Sequence, residues 1–331
     1  MPLLPEISSR PIVFLYPGQG GNPQGSLQTL YGLSEDIRHT IDDVLTAVDS
    51  VVEERQQQGH ALAPGMVRTL LLTPDTGTAL PYGLKQLGLY TSAVAVSQVL
   101  RRAGIEPDAA LGESFGEIAA RECAGNITVI NGARTACALN DAYCAVQDLG
   151  DMLLVSASEE QTRAVLREIN HPQLMLATVN SPTHTVVSGP HDALQAMIDA
   201  TPAGVPPPRE LNIGYAAHHP QHIAIKQAAL RTMPGIPQVP LKLTLYSTVQ
   251  QRAYTPQDDL VEGMTDNTIK PCHLPNTLSV LSRAIHNPLF IDLGGNGYMA
   301  RCVSKILPGA RTYAPLTQNA LDLRADLALK P

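Results

Sequence analysis

Gly112-Glu-Ser-Phe-Gly116 places one hydroxyl between two glycines at the spacing of the Gly-x-Ser-x-Gly nucleophile elbow. In that element a strand turns sharply into a helix, and the serine sits exposed in a strained turn. The flanking glycines let neighbouring chain approach where a Cβ would clash. The chemistry on offer is covalent catalysis through an acyl-serine at Ser114. Taken alone, the five residues leave a second reading open, a Gly/Ser turn whose serine merely caps a helix. The context favours the elbow: Ala109-Ala-Leu111 precedes it as an apolar run, and Glu117-Ile-Ala-Ala-Arg-Glu122 follows with helical character, its N-terminal dipole facing the serine.

A serine nucleophile needs a base, and Ala217-His-His-Pro-Gln-His222 offers histidines. His218 and His222, at i and i+4, have the spacing of a metal pair. No glutamate stands between them as in H-E-x-x-H, and no cysteine or acidic ligand is adjacent, so no metal is expected. A general base at His218 paired with Ser114 fits better, with a solvated or capping histidine as the remaining alternative.

These groups must be held by a large fold. The chain has 331 residues, 44% hydrophobic and 16% charged, which suits a globular protein with a sizeable core and argues against disorder. A net charge of −7 without any Lys/Arg block disfavours nucleic acid and anionic membranes as partners, although a local basic patch could dock an acidic carrier. Absent tryptophan and only three phenylalanines argue mildly against a stacking surface for bases or sugars. The five cysteines are odd in number and form no C-x-x-C, which indicates neither a disulfide framework nor a zinc site and fits a reducing cytoplasm. Met1-Pro-Leu-Leu-Pro-Glu6 lacks the basic and apolar regions of a signal peptide, and no apolar run reaches the roughly 18 residues needed to span a bilayer. A cytoplasmic protein is expected.

Pro11–Tyr16 reads as a buried parallel strand entering a Gly-rich loop, Pro17-Gly-Gln-Gly-Gly-Asn-Pro-Gln-Gly25. That loop lacks Gly-Lys-Ser/Thr, and Pro23 breaks the dinucleotide fingerprint, so nucleotide binding is discounted. Residues 32–58 read as a solvated helical region and Tyr82–Arg101 as a mostly apolar helix closing at Gly104; another helix begins near Asn131. Between Met152 and Tyr215 the order is strand (Met152–Ser156), helix (Glu159–Ile169), two strands around Ser181-Pro182, helix (His191–Ala200) and strand (Glu210–Tyr215), with a Pro-rich connector at Pro202–Pro208. That βαββαβ order is ferredoxin-like. Leu241–Ser247 alternates as a strand, and Leu289–Gly297 reads as a strand entering a Gly loop. Three strands thus end in Gly-rich or Gly/Ser loops, the way an open α/β sheet builds a site. The expected fold is α/β: an α/β-hydrolase-like large domain with a parallel sheet (residues 1–149 and 216–331) and an inserted ferredoxin-like small domain (150–215).

Several of these stretches together resemble the malonyl-CoA:acyl-carrier-protein transacylases and the acyltransferase domains of polyketide synthases. Phe14-Leu-Tyr-Pro-Gly-Gln-Gly20 looks like F-P-G-Q-G, Gly112–Glu117 like G-H-S-x-G-E, and Tyr215-Ala-Ala-His218 like Y-A-S-H. Asn180-Ser-Pro182, Val187-Ser-Gly189, Leu245–Val249 and Phe290–Gly294 follow in the expected order. The resemblance implies Ser114 as nucleophile and His218 as base. It implies an oxyanion hole on the backbone N–H groups of Gln19 and Phe115 and a backbone carbonyl, placed at His273, that orients His218. No tightly bound cofactor is implied; the phosphopantetheine of an acyl carrier protein, or CoA, is the substrate arm.

The departures from the family are informative. Its carboxylate-selecting arginine aligns with Asn140 here, and Arg134 lies nearly two turns earlier. An amide cannot neutralise a carboxylate entering a dry pocket, so malonyl and methylmalonyl groups are not expected. Glu113 replaces the family's histidine, and Asp141 follows Asn140. With both carboxylates in the pocket an amine-bearing acyl group would be favoured; solvated carboxylates are the alternative. Asn140, Asp141, Glu113, Cys144, Asn180, Tyr215 and Ala217 are the expected pocket residues, and Arg134, Lys270, Arg283, Arg301 and Lys305 the candidates for carrier docking. The leading expectation is a trans-acting acyltransferase handling a non-carboxylated acyl group by a ping-pong mechanism. A carrier-protein thioester hydrolase using the same Ser-His pair and a non-catalytic carrier-binding protein are the alternatives.

Overall fold

The computed structural model describes residues 10–75, 77–201 and 206–327; the N-terminal stretch 1–6 and residues 202–205 of the Pro-rich connector lie outside the described residues. Strand β1 (Ile12–Tyr16) is buried at every position. It is the kind of short apolar run that only a strand covered on both faces can use. Helix α1 (Glu35–Gln57) follows, capped by Ser34, whose side chain accepts from Ile37 N–H; Ile37, Ile41, Val44, Val48 and Val51 form its buried stripe. Helix α2 (Leu84–Arg102) is buried over most of its surface and leads to β2 (Ala109–Gly112). Beyond the serine turn come α3 (Glu117–Cys123) and α4 (Val129–Tyr143), the latter capped by Thr128.

The middle of the chain is β3 (Asp151–Val155), α5 (Glu159–Ile169), β4 (Met175–Ser181), β5 (His184–Gly189), α6 (His191–Asp199) and β6 (Arg209–Glu210). A capping box between Ser158 and Gln161 starts α5. The remainder supplies β7 (Thr244–Ser247), β8 (Arg252–Ala253), β9 (Cys272–His273), α7 (Leu274–Ala284), β10 (Leu289–Asp292), α8 (Tyr298–Ile306) and β11 (Arg311–Tyr313).

Two sheets result. The larger has the order β11-β10-β1-β2-β7-β8 and is parallel except for β8. Its register aligns Tyr16 with Gly112 and Gly112 with Ser247, so three strands end at one level beside the serine turn. The smaller sheet runs β6-β3-β5-β4-β9. Its first four strands are the antiparallel ferredoxin-like arrangement, and β9, which comes from the return of the chain to the large sheet, adds parallel to β4.

The last strand of the small sheet differs from expectation. Only Arg209–Glu210 pair as β6, instead of a strand to Tyr215. Asn212 and Gly214 have φ of 51° and 84°, and the Ile213 and Gly214 amides donate to the carboxylate of Asp151, at 3.1 and 3.2 Å. A buried side chain has taken the place of a ladder partner.

Candidate active site

The elbow glycines are dictated by contact. A Cβ on Gly112 would overlap the Glu117 backbone, and one on Gly116 would run into the carbonyls of Tyr16 and Pro17 at the end of β1. The helix therefore starts directly against the strand ends. Ser114 itself has φ 51°, left-handed backbone that a non-glycine residue holds only when the surroundings over-determine it. Those surroundings come from β7: the Ser114 amide faces Thr248 Oγ1 at 3.4 Å, and the Thr248 amide donates to the Gly112 carbonyl at 3.3 Å. Glu117 locks the helix from below. Its fully buried carboxylate accepts from Ser247 Oγ and Tyr254 OH, both at 2.6 Å. Burial raises its pKa, and these two hydroxyls oppose the rise.

His218, 104 positions away in sequence, is 2% exposed and places Nε2 at 2.7 Å from Ser114 Oγ. Its Nδ1 lies 2.9 Å from the carbonyl oxygen of Lys270. A carbonyl only accepts, so Nδ1 carries the proton and Nε2 is left to accept from the serine hydroxyl. Burial pushes the His218 pKa down to about 4, against the pull of the Lys270 carbonyl. The imidazole is accordingly neutral and basic near pH 7.

The orienting carbonyl is thus that of Lys270, not of His273 as placed from sequence. The His273 carbonyl accepts from Thr277 Oγ1 inside α7, and its side chain caps that helix. The available signal was Pro271: a residue before proline is held extended. Lys270 is in turn anchored on Asp266. Its amide donates to the Asp266 carbonyl, and its ammonium sits 2.7 Å from the Asp266 carboxylate, which also takes Lys226 Nζ at 2.7 Å and Gln250 Nε2 at 3.0 Å. Asp266 is 4% exposed, and burial notwithstanding, the two ammonium groups hold its pKa low.

A cavity of about 110 Å³ opens on Ser114 and His218, several times the space one water needs. It is walled by the Pro17–Pro23 loop, Leu89, Ser92 and Ala93 of α2, Met152, Leu154, Thr178, Asn180 and Val186 of the small sheet, and the Leu293–Asn296 loop with Tyr298. Gln19 belongs to this wall and is fixed by Tyr215, whose hydroxyl donates to Gln19 Oε1 at 2.9 Å. Phe115 buries its side chain in the core, and its amide lies at the start of the serine turn, where N–H groups have no helical acceptor.

Of the expected pocket residues, Glu113 and Asn180 line this cavity; Asn140, Asp141, Cys144, Tyr215 and Ala217 do not. Tyr143 and Tyr215 stack with ring centroids 4.0 Å apart and fill the space between α4 and the His218 segment. Behind that stack Asn140 faces Gly83, its carbonyl accepting from Tyr82 OH, while Asp141 pairs with Arg55 at 2.7 Å and Cys144 is exposed. Among the docking candidates, Arg134 pairs with Glu54, Lys270 with Asp266, Arg301 donates to the Asn296 carbonyl, Lys305 lies 3.2 Å from His184 Nδ1, and Arg283 is exposed. Arg209, which sequence reasoning passed over, is exposed at the mouth of the cavity. His222 lies beside His219 and Tyr143, and among the described residues no group of three His, Cys, Asp or Glu is arranged to hold a metal. Cys272, packed against the His218 ring with Sγ at 3.7 Å from Nε2, is a thiol pushed far up by burial.

A parallel sheet, an inserted ferredoxin-like sheet and a strained serine turn facing a buried histidine thus frame one cavity. Residues 13–308 match the family model described as "Acyl transferase domain", and the chain belongs to that family and is an acyltransferase. It is 30% identical over 252 residues to erythronolide synthase EryA2 of Saccharopolyspora erythraea, an alignment covering 75% of this chain and 7% of that protein. The chain thus spans only a small part of the length of the synthases it matches. In fold it resembles a loading acyltransferase from the avermectin modular polyketide synthase (TM-score 0.81, 22% identity, 96% of this chain and 98% of that one). It also resembles the malonyl-transacylase solved in complex with a type II polyketide acyl-carrier protein (TM-score 0.80, 17% identity, 97% and 100% covered). Among the described residues no helix is long and apolar enough to cross a membrane.

Proposed function

We propose that the protein moves a non-carboxylated acyl group between thioesters through an ester on Ser114, with an acyl carrier protein supplying at least one thiol and arriving as a separate protein. Ser114 Oγ attacks the thioester carbonyl while its proton passes to His218 Nε2. The oxyanion is held by the N–H groups of Gln19 and Phe115, donors worth on the order of 10²–10³ in rate each. Collapse expels the donor thiolate, which takes the proton from His218. The second half runs in reverse with an acceptor thiol, whose proton His218 receives as the thiol attacks the ester. The Lys270 carbonyl stabilises the imidazolium in both halves.

The observation that carries the choice of acyl group is the charge of the cavity. Among the described residues lining it, the single cation is Arg209, exposed at the mouth, and the single carboxyl is Glu113, buried beside the nucleophile. A malonyl carboxylate would be desolvated next to a carboxyl, with no buried guanidinium to receive it and Arg209 held in solvent at the mouth. The carrier reading draws on the two solved relatives, one a loading acyltransferase and the other bound to a carrier protein.

Intact-protein mass spectrometry after incubation with malonyl, acetyl and longer acyl thioesters on CoA and carrier protein tests the reading. The expected result is an acyl adduct from non-carboxylated donors, absent in Ser114→Ala and discharged by a second carrier. A malonyl adduct in preference to acetyl overturns the acyl specificity. Free-acid release unaffected by added carrier, with little adduct, would identify a hydrolase instead.

A further inference from the structure

The cavity that opens on Ser114 is rich in acceptors. Glu113 is 6% exposed; one carboxylate oxygen takes the Gly18 N–H at 3.3 Å, and among the described residues no cation pairs with it. The titratable groups coupled to it are Asp292, Tyr298, Cys302 and Cys272, none of them positively charged; His218 and Arg209 line the same cavity, the first neutral near pH 7 and the second in solvent at the mouth. Asp292 already spends its own carboxylate on the amides of Gly294 and Ala300.

Two further atoms in the same wall lack partners. Asn180 Oδ1 and Thr178 Oγ1 are buried and make no hydrogen bond, although both residues face the cavity. Asn180 Nδ2 is committed to Tyr298 OH at 2.8 Å, which leaves the amide oxygen as its free end. Buried polar atoms without partners are costly unless a ligand or water completes them. An unpaired carboxyl and an orphaned amide oxygen call for a ligand that only donates, and an ammonium has three donors and no acceptor.

We propose that Glu113, with Asn180 in the wall of the same cavity, recognises a primary ammonium on the acyl group, so that the thioester substrates are aminoacyl or amine-terminated. This deepens the acyl-enzyme reading above and rests on it. Burial, reinforced by Asp292 and opposed by the Gly18 N–H, pushes the Glu113 pKa up to about 7. The Glu113 carboxyl is therefore near its point of ionisation, and an arriving ammonium draws it into the charged form.

The test compares acylation of Ser114 by N-acetylcysteamine thioesters in isosteric pairs, glycyl against propionyl and β-alanyl against butyryl, each exchanging an ammonium for a methyl. At pH 8 the wild type is expected to favour the amine in at least one pair by about tenfold or more, and Glu113→Gln to lower that ratio by about 10- to 100-fold. Glutamine keeps an oxygen for the Gly18 N–H, so a role confined to holding that loop leaves the ratio unchanged and overturns the proposal. A wild-type preference for the methyl isosteres also overturns it. Should the variant fail to fold, the wild-type β-alanyl/butyryl ratio, whose amine stays protonated across the window, is read between pH 6 and 8: it rises as Glu113 ionises if the proposal holds, and a flat ratio refutes it. No adduct with any thioester would sink the acyl-enzyme reading itself, whereas a butyryl adduct without amine preference sinks only this one.

Discussion

Asp266→Asn should weaken the catalytic base from a distance. The carboxylate is buried between Lys226 and Lys270, whose side chains are 11% and 53% exposed, at 2.7 Å each. Removing one partner of a fully buried pair costs roughly 3–5 kcal/mol. Lys270 is half solvated and Lys226 keeps Glu262 at 3.6 Å, which lowers the expected loss to about 2–3 kcal/mol. Asparagine preserves shape and one acceptor, so the loss is electrostatic. Because the same carboxylate holds Lys270, whose carbonyl fixes Nδ1 of His218, the acylation rate should fall by about 10-fold at unchanged KM. Urea unfolding and pre-steady-state acylation read the two effects. The folded pKa of Asp266 is lowered below its ordinary 3.8, so its contribution is complete above that value and disappears as the pH falls through the folded pKa. The stability gap between wild type and variant should therefore close in strong acid. A variant within about 0.5 kcal/mol of wild type at pH 7, or one that loses stability with the acylation rate intact, refutes the chain of reasoning from Asp266 to His218.

The His218 pKa near 4 predicts that acylation by an uncharged butyryl thioester is flat from about pH 8 down to about 5 and drops toward 4; a midpoint near 6.5 in its pH–rate profile would show that burial does not depress it. The same shift lowers stability as pH falls from 6.5 to about 4, since the unfolded histidine takes up its proton first; urea titrations across that window measure it. Gly116→Ala should cost more than about 3 kcal/mol or prevent folding, because its Cβ meets the backbone carbonyls of Tyr16, at the end of the central strand, and of Pro17 just beyond it, which cannot step aside; thermal unfolding of soluble protein would reveal a smaller penalty.

The local pieces of this molecule were legible where one stretch of chain carries its own explanation. Gly112 and Gly116 announce the tight strand-to-helix approach, and the strand-helix alternation over residues 151–200 gave the small sheet apart from its final strand. What could not be read depends on residues remote in sequence. Nothing in Tyr143 or Tyr215 separately says that they stack, and nothing in Asn140 or Asp141 says that Gly83 and Arg55, not the cavity, are their partners. Asp151 ends β6 early because its carboxylate captures two amides more than 60 positions onward. The carbonyl serving His218 was misplaced by three residues, since pattern fixes the neighbourhood of Pro271 but not which oxygen points inward.

The pairing of β9 with β4 has a mechanical meaning. Thr178 lies opposite Cys272 and Val179 opposite His273, while the ring of His273 reaches Glu159 at 3.1 Å. Two residues upstream of this seam is the Lys270 oxygen that accepts from His218 Nδ1. The jaws around the substrate are thus riveted next to the base, and a clamshell gape of the small sheet would tug on His218.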